Sequence, residues 1–270
     1  MRALIGALVV LAVLAAAVLV AAFALQRRLL YFPDRMTEGQ ALARAERLGL
    51  APWRGPDGAL RGWRAPATRE PRARVLVLHG NAGSALDRTY YAEALAPLGA
   101  EVTLLEYPGY GARPGEPTLE ALTAAALDAV DALGREGGPV WLVGESLGSG
   151  VAARAARLRP GVVRGLLLVT PYADLSAVAR HHYPFVPAAL LRDRFAPARD
   201  LAGASSPVVL LVAGRDEVVT AEQGRLLFAA LPGPKRLVEQ PRATHNGLDL
   251  SPRQPFWADT VRFLEASGQR

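Results

Sequence analysis

Gly144-Glu145-Ser146-Leu147-Gly148 joins an apolar run at Val140–Val143 to a helical pattern over residues 147–158. A Gly-x-Ser-x-Gly pentapeptide between a strand and a helix is typical of a nucleophile elbow, in which the serine occupies a strained turn. The positions two before and two after the serine have to be small, and both are glycine in this chain. Ser146 is therefore predicted to stand at the carboxyl end of a strand, beside a helix start that favours developing negative charge.

Two further loops supply the groups that a serine nucleophile needs. His245 follows the last predicted strand, which is where a general base belongs. Asp216 follows the predicted strand Pro207–Ala213, where a carboxylate can accept the imidazole N–H and hold its tautomer. Its neighbour Glu217 is the competing acid, and Asp216 is preferred because its shorter side chain comes immediately at the strand end. The chain order Ser146, Asp216, His245 is that of α/β-hydrolases.

The loop His79-Gly80-Asn81-Ala82-Gly83 is the candidate for the remaining part of such a site. The backbone N–H groups of Asn81 and of Leu147, the residue after the nucleophile, are predicted to form the oxyanion hole. His79 is assigned a structural role in shaping this turn. A phosphate-binding loop is the alternative, but the segment lacks both the Gly-Lys-Ser/Thr ending and the GxGxxG spacing.

Apolar runs and helical patterns alternate along the chain, which predicts an α/β fold with a mostly parallel central sheet covered by helices on both faces. The predicted strands lie near 50–54, 59–65, 74–78, 102–106, 140–143, 165–169, 207–213 and 236–239, and the predicted helices cover 37–50, 85–98, 118–135, 147–158, 219–231 and 254–266. The segment 174–200 departs from this alternation and is predicted to form a small lid.

The amino-terminal segment is predicted to cross a membrane. Ala3–Leu25 is uncharged for 23 residues, and a helix of this length covers about 34 Å, enough for a hydrocarbon core of about 30 Å. A cleaved signal peptide is the alternative, although its apolar region usually has only about 7–15 residues. We expect a single-pass anchor over 1–28, in a bacterial inner membrane, and a catalytic domain over 29–270. The charges around the span leave the side of the membrane open.

Two apolar segments are expected to meet the bilayer. Leu29-Leu30-Tyr31-Phe32 follows the span and is suited to the headgroup level, so that a chain starting near Asp34 would keep its activity on small esters. In the lid, Pro184–Leu191 and Phe195 are expected to face the lipid or to cover an acyl-binding groove.

Composition excludes several classes of protein. Hydrophobic residues make up 51% and charged residues 21% of the chain, which suits a buried core and shows no signature of disorder. The net charge of +6 comes from scattered arginines, with Lys235 as the one lysine, so nucleic-acid binding is not expected. The chain has no cysteine, and the adjacent His181 and His182 make a poor metal site, so we expect no metal and no cofactor.

Beyond these motifs, the chain resembles the membrane-anchored, bud-emergence-type serine hydrolases, a branch of the α/β-hydrolase superfamily with serine aminopeptidase-like members. The resemblance rests on the three triad motifs and on Leu30-Tyr31-Phe32-Pro33, Asp57-Gly58 with Leu60 and Trp63, His79–Gly83, Tyr107-Pro108-Gly109-Tyr110-Gly111, Thr170-Pro171-Tyr172 and Asp193-Arg194-Phe195. Glu106, where an aspartate is common, and Arg113, where a small hydroxyl residue is usual, depart from the pattern beside the predicted pocket.

The resemblance implies a serine hydrolase of acyl esters, thioesters or small amides, with lipid hydrolases, protein depalmitoylases and serine aminopeptidases among its relatives. We therefore expect a membrane-bound ester or thioester hydrolase whose partner is an acyl-bearing small molecule, a lipid or an acylated protein. An amidase or peptidase with the same triad, and a non-catalytic binding protein of the same fold, are the alternatives. The presence of Ser146, Asp216 and His245 argues against the binding protein, because a hydrolase fold that has lost its activity usually has the nucleophile or the base substituted.

Overall fold

A central sheet forms the core of the chain after its first helix in a computed structural model that describes residues 1–66, 70–184 and 187–268. The strands, in chain order, are β1 Phe32–Pro33, β2 Ala51–Arg54, β3 Leu60–Arg64, β4 Ala73–Leu78, β5 Ala82–Gly83, β6 Ala100–Leu105, β7 Val140–Glu145, β8 Val163–Val169, β9 Val208–Ala213 and β10 Lys235–Gln240. All except β1 and β5, which pair with each other, belong to the central sheet.

The order of strands in the central sheet is β10-β9-β8-β7-β4-β6-β3-β2. The strands from β10 to β6 are parallel, and β3 and β2 add an antiparallel edge. Within this edge, β2 and β3 are antiparallel to each other because Pro56-Asp57-Gly58 turns the chain directly back on itself, with Gly58 at a φ of 76°. The predicted α/β fold with a mostly parallel sheet is thus confirmed.

Helices cover both faces of this sheet. In chain order, the helices of the described residues are α1 Arg2–Leu30, α2 Glu38–Arg47, α3 Thr89–Leu95, α4 Leu119–Arg135, α5 Leu147–Leu158, α6 Leu175–His182, α7 Pro197–Asp200, α8 Ala221–Ala230 and α9 Pro255–Gly268, with short 3₁₀ turns at Ala85–Asp87, Ala96–Leu98 and Ala188–Leu190. The predicted helix over 85–98 is therefore α3 with a 3₁₀ turn at each end. Helix α1 lies outside the two layers on the sheet faces. Successive side chains of a strand point to opposite faces of the sheet, and each face has its own hydrophobic core. Leu76 and Leu78 therefore pack with α4 and α5 on one face, whereas Val75 and Val77 pack with α3 and α9 on the other.

The parallel arrangement brings the candidate site residues to one edge of the sheet. Parallel strands end at a common edge, and ligands of open α/β sheets bind outside these carboxyl ends. Asn81 follows β4, Ser146 follows β7, Asp216 follows β9 and His245 follows β10. Residues that lie up to 164 positions apart in the sequence therefore meet at this edge.

Helix α1 is long and apolar enough, by length and composition, to cross a membrane. Its most apolar window of 18 residues has a mean hydropathy of 3.1, and none of this window is buried against the rest of the chain. The helix continues beyond the predicted span to Leu30, where the chain enters the part that contains the central sheet.

Two expectations about apolar segments are wrong in part. Tyr31 does not lie at the headgroup level, because it is 3% exposed and belongs to the core beside α4 and α5. The next two residues form β1, so a chain that starts near Asp34 would lose part of the folded domain. Phe195 does not face lipid either, since it is fully buried against Gly150 of α5. Residues 185 and 186 of the predicted lid lie outside the described residues.

Candidate active site

Ser146 occupies the strained turn that the pentapeptide predicts. Its φ of 50° and ψ of −114° lie in a region that residues with a side chain rarely adopt. The flanking glycines are required by close contacts: a Cβ at Gly144 would lie 2.6 Å from the Gly148 carbonyl oxygen, and a Cβ at Gly148 would lie 1.9 Å from the Leu78 carbonyl oxygen. The strand–turn–helix geometry therefore depends on both glycines.

The three predicted triad side chains meet in a continuous hydrogen-bonded chain. The His245 Nε2 atom lies 3.1 Å from Ser146 Oγ, and His245 Nδ1 lies 2.7 Å from Asp216 Oδ2. With Nδ1 protonated, the imidazole donates to the carboxylate and accepts the serine hydroxyl proton at Nε2. The other oxygen of Asp216 accepts the backbone N–H groups of Val218 and Val219 at 2.9 and 2.7 Å, which holds the carboxylate in place.

The competing acid, Glu217, takes a different position. Its carboxylate accepts the backbone N–H of His245 at 3.4 Å and makes no hydrogen bond to the imidazole ring in the described structure. Of the two neighbouring acids, Asp216 is thus the one whose carboxylate contacts the ring, as the preference for the shorter side chain at the strand end predicts.

The two predicted oxyanion donors lie on adjacent segments. Leu147 is the first residue of α5, so its N–H has no acceptor within the helix. Asn81 lies in the loop after β4, which approaches α5 so closely that a Cβ at Gly148 would lie 2.7 Å from the His79 carbonyl oxygen. Two tyrosine hydroxyls support the loop: Tyr107 donates to the His79 carbonyl at 3.3 Å, and Tyr110 donates to the Asn81 carbonyl at 2.8 Å.

A buried histidine and a buried carboxyl group lie beneath this loop. The ring of His79 donates from Nδ1 to the Gly80 carbonyl at 2.8 Å, and its Nε2 lies 3.8 Å from Glu106 Oε1. Burial, together with the positive charge of Arg88, lowers the pKa of His79 to about 3, so the ring is neutral. Burial also raises the pKa of Glu106 to about 7, although its oxygens accept the N–H groups of Ala85 and Trp63. His79 accordingly shapes the turn, as the sequence predicts.

The raised pKa of Glu106 predicts a pH dependence of stability. A carboxyl group with a pKa of about 7 in the folded chain and 4.5 when unfolded holds its proton more tightly in the folded state. Below about pH 4.5, this tighter binding of the proton adds about 3 kcal/mol to the free energy of unfolding, and the contribution is lost by about pH 8. We expect Glu106→Gln to remove this decline, so that urea unfolding measured across this range gives a flatter pH profile than for the unsubstituted chain. Parallel profiles for the two proteins would contradict the assignment.

Beside the triad lies a polar cluster that sequence reasoning missed. Glu145, within the elbow itself, accepts hydrogen bonds from Arg88 Nε at 2.9 Å, from the Tyr90 hydroxyl at 2.5 Å and from the Tyr91 hydroxyl at 2.9 Å. Because Arg88 is 57 positions away, only the pairing of β4 with β7 brings these groups together. The signal available in the sequence was a charged residue at the variable position of the pentapeptide.

One wall of a cavity of about 180 Å³ beside His245 is formed by Arg88, Tyr90 and Glu145 of this cluster. Val169, Leu248 and Leu250 supply apolar surface, whereas Thr170 and Asn246 supply further polar groups. Thr170 follows β8 with a φ of 44°, so a second residue at this edge of the sheet is held in the left-handed region. The cavity offers a mixed apolar and polar surface within reach of the candidate base.

The fold and the arrangement of groups at its sheet edge define an α/β-hydrolase. The sheet order, the elbow after β7 and the loops that follow β4, β9 and β10 all have the positions that this fold gives them.

The particular family follows from comparison with known proteins. The family described as serine aminopeptidase, S33, matches residues 69–203. An uncharacterized protein of Mycobacterium tuberculosis, Rv2307c, is 34% identical over 264 residues, which cover 94% of this chain and 92% of that protein. The chain therefore belongs to the serine aminopeptidase S33 family of α/β-hydrolases.

More distant relatives have named activities or solved structures. The lysophosphatidylserine lipase ABHD12 of Mus musculus is 29% identical over 198 residues, which cover 65% of this chain and 50% of the lipase. The esterase PF2001 of Pyrococcus furiosus superposes with a TM-score of 0.64 at 17% identity, over 88% of this chain and 97% of the esterase. The monoacylglycerol lipase of Paleococcus ferrophilus gives a TM-score of 0.57 at 21% identity, over 78% and 99% of the two chains. At such identities the solved structures show the fold alone.

Proposed function

We propose that this protein is a membrane-tethered serine hydrolase that cleaves an acyl ester or thioester through Ser146, His245 and Asp216. The observation that carries the proposal is the hydrogen-bonded chain from Ser146 Oγ through the imidazole to the Asp216 carboxylate. Membership of a hydrolase family supports it, and so does the likeness to ABHD12, a lipase whose named substrate is an acyl ester.

The geometry suggests how each group would act. His245 Nε2 takes the hydroxyl proton as Ser146 Oγ attacks the acyl carbonyl carbon, and the Asp216 carboxylate stabilises the imidazolium that forms. The N–H groups of Asn81 and Leu147 hold the resulting oxyanion. When the tetrahedral intermediate collapses, the imidazolium gives its proton to the departing alkoxide or thiolate and leaves an acyl-serine. A water molecule, deprotonated by the same imidazole, then attacks the acyl-serine. As the second tetrahedral intermediate collapses, the imidazolium returns its proton to Ser146 Oγ and the carboxylic acid is released.

An ester or thioester fits the cavity better than the amino-terminal end of a peptide does. An aminopeptidase has to bind the α-ammonium group of its substrate, for which a free carboxylate is the usual partner. Glu145 is the one carboxylate among the described residues that line the cavity, and it is already paired with Arg88 at 2.9 Å. This pairing argues against the activity that the family description suggests.

The cavity is too small to enclose a whole long-chain acyl ester. Its volume is about 180 Å³, whereas pockets that enclose a drug-sized ligand usually have about 300–1,000 Å³. One end of an acyl ester would therefore enter the cavity, while the rest of a long acyl chain stays in the surroundings.

Tethering is supported by the place where α1 ends. The last turn of α1 lies at the same sheet edge as the triad, where Arg27 Nε pairs with the buried Asp193 at 3.0 Å and the Leu30 carbonyl accepts a hydrogen bond from the Asn81 side chain at 3.0 Å. With α1 in a bilayer, this edge would lie close to the lipid surface. A substrate in the same membrane would then gain effective concentration without any new contact.

The test compares the full chain with a chain that starts at Gln26 and so keeps the part of α1 that forms hydrogen bonds and ion pairs with the domain. Esters and thioesters of graded acyl length, and aminoacyl amides, are offered both in water and in phospholipid vesicles. We expect both proteins to cleave short soluble esters at similar rates and amides hardly at all. On long-chain substrates in vesicles we expect the full chain to be faster by about tenfold or more, because only it shares the membrane with the substrate.

Three outcomes would contradict the proposal. Faster cleavage of aminoacyl amides than of esters would assign a peptidase. Equal rates of the two proteins on vesicle-borne substrate would show that α1 serves no tethering role in catalysis. An intact mass that lacks the first 24 residues, in protein purified from membranes, would identify a cleaved signal peptide.

A further inference from the structure

The carboxyl end of α1 and the residues after it contact the loop that carries the candidate oxyanion donor Asn81. The Asn81 side chain donates from Nδ2 to the Leu30 carbonyl at 3.0 Å, and the Phe32 N–H donates to the Asn81 carbonyl at 2.8 Å. One step further along, the Asp34 N–H donates to the Gly83 carbonyl at 2.9 Å, and β1 runs parallel to β5. Asn81 is thus held by the segment Leu30–Asp34 through both its side chain and its backbone.

The peptide group that bears the Asn81 N–H is fixed from its other side. A peptide bond is planar, so the direction of the Asn81 N–H is set by the carbonyl of Gly80. That carbonyl accepts a hydrogen bond from His79 Nδ1 at 2.8 Å. His79 therefore fixes the plane that precedes the Asn81 Cα atom, and the segment Leu30–Asp34 fixes the groups that follow it.

The segment that holds Asn81 is itself tightly docked. Arg27 forms two hydrogen bonds, of 3.0 and 3.2 Å, with Asp193, a carboxylate that is 2% exposed and also accepts the Leu119 N–H at 3.0 Å. Gln26 donates to the Leu190 carbonyl at 3.1 Å and accepts the Arg192 N–H at 2.6 Å. These contacts set the position of the helix end against the domain, and the burial of Tyr31 completes them.

We infer that the carboxyl end of α1, with β1, is a positioning element of the oxyanion hole, which aims the Asn81 N–H at the reacting carbonyl. The inference rests on the proposed function, since it assigns a role to a donor of that same site. The helix that would anchor the protein is on this view also part of the catalytic assembly. Leu30 and Phe32 act through Asn81 and do not touch the substrate.

The test uses the full chain in detergent micelles and two variants that each remove one contact. Phe32→Pro deletes the N–H that bonds to the Asn81 carbonyl, and the extended backbone of Tyr31, with φ −109° and ψ 125°, suits a residue before proline. Asn81→Ala deletes the bond to the Leu30 carbonyl but keeps the backbone N–H. Phe32→Ala is the matched control, because it keeps the N–H and removes only a half-exposed side chain.

The readouts are kcat and KM for a short-chain p-nitrophenyl ester, and the affinity for a trifluoromethyl ketone, which forms a tetrahedral adduct with an active-site serine. Full loss of one oxyanion donor costs about 10²–10³ in kcat, so a misaimed donor should cost about tenfold or more. We expect this loss in kcat for Phe32→Pro and Asn81→Ala, with little change in KM. The affinity for the ketone should fall by a similar factor, while Phe32→Ala behaves as the unsubstituted chain does.

The inference is overturned if Asn81→Ala and every folded Phe32→Pro protein keep both kcat and ketone affinity. It is also overturned if KM alone rises, because a merely structural or binding role would produce that result. A thermal unfolding scan identifies a Phe32→Pro protein that has not folded, in which case Asn81→Ala decides. Failure of the proposed function is recognised separately, since the unsubstituted chain would then fail to form the ketone adduct at all.

Discussion

Ser146→Ala should lower kcat on a short-chain ester by about 10⁶-fold, because the hydroxyl that is proposed to form the acyl intermediate is removed. The residual rate would exceed that of the uncatalysed hydrolysis of the ester in water by about 10³–10⁴-fold, since substrate binding and the oxyanion donors remain. Stability should change little: Ser146 owes its unusual backbone to the close contacts around Gly144 and Gly148, which the substitution leaves in place.

The measurement pairs steady-state kinetics with a fluorophosphonate probe that labels activated serines. We expect the probe to label the unsubstituted chain and not the alanine variant, while thermal unfolding of the two proteins coincides. If the folded variant retained about a tenth of the activity, catalysis would have to use a different nucleophile. Labelling of the variant at another serine would identify that nucleophile.

Asp216→Asn should lower kcat by about 10⁴-fold with the geometry of the site preserved. One carboxylate oxygen of Asp216 already accepts the N–H groups of Val218 and Val219, so the amide oxygen of asparagine would occupy that position. The amide NH₂ group then faces His245 Nδ1, which has to become the acceptor. Nε2 carries the proton in that tautomer and cannot take one from Ser146.

Glu217→Gln is the matched control for this prediction. Glu217 accepts the backbone N–H of His245, a bond that the amide oxygen of glutamine can also accept. Its activity should therefore stay close to that of the unsubstituted chain. The opposite ranking of the two variants would assign the acid of the triad to Glu217 and would remove the support that the Asp216 contacts give to the proposal.

The contacts of α1 change how its function would be studied. A helix that merely tethers can be deleted up to the first folded element, and the apolar sequence at 29–32 suggested that Asp34 was such a point. In the folded chain, Tyr31 is buried and Phe32 pairs with the Asn81 loop. Deletion up to Asp34 would therefore combine the loss of the proposed membrane anchor with damage to the domain, whereas a start at Gln26 separates the two.

Much of the architecture could be predicted because it follows from local pattern. The continuous apolar runs predicted parallel strands, and their bounds at β7 and β9 agree with the folded chain to within two residues. The glycines of the elbow were informative because the tight turn leaves no room for a side chain: a Cβ at Gly148 would lie 1.9 Å from the Leu78 carbonyl oxygen. The order in which Ser146, Asp216 and His245 occur was informative because this fold places its functional loops after particular strands.

Other features depended on contacts between residues far apart in the sequence, which no local pattern records. The pairing of Glu145 with Arg88, the burial of Glu106 beside His79, and the burial of Tyr31 and Phe195 all arise from packing across the sheet edge. An apolar residue after a membrane span has the same sequence signature whether it meets lipid or a protein core. Local sequence pattern thus determined the fold and the serine and histidine of the candidate triad, and it left two neighbouring carboxylates as the acid. The tertiary structure decided which carboxylate contacts the imidazole and where α1 ends, because both depend on distances between loops that only the folded sheet brings together.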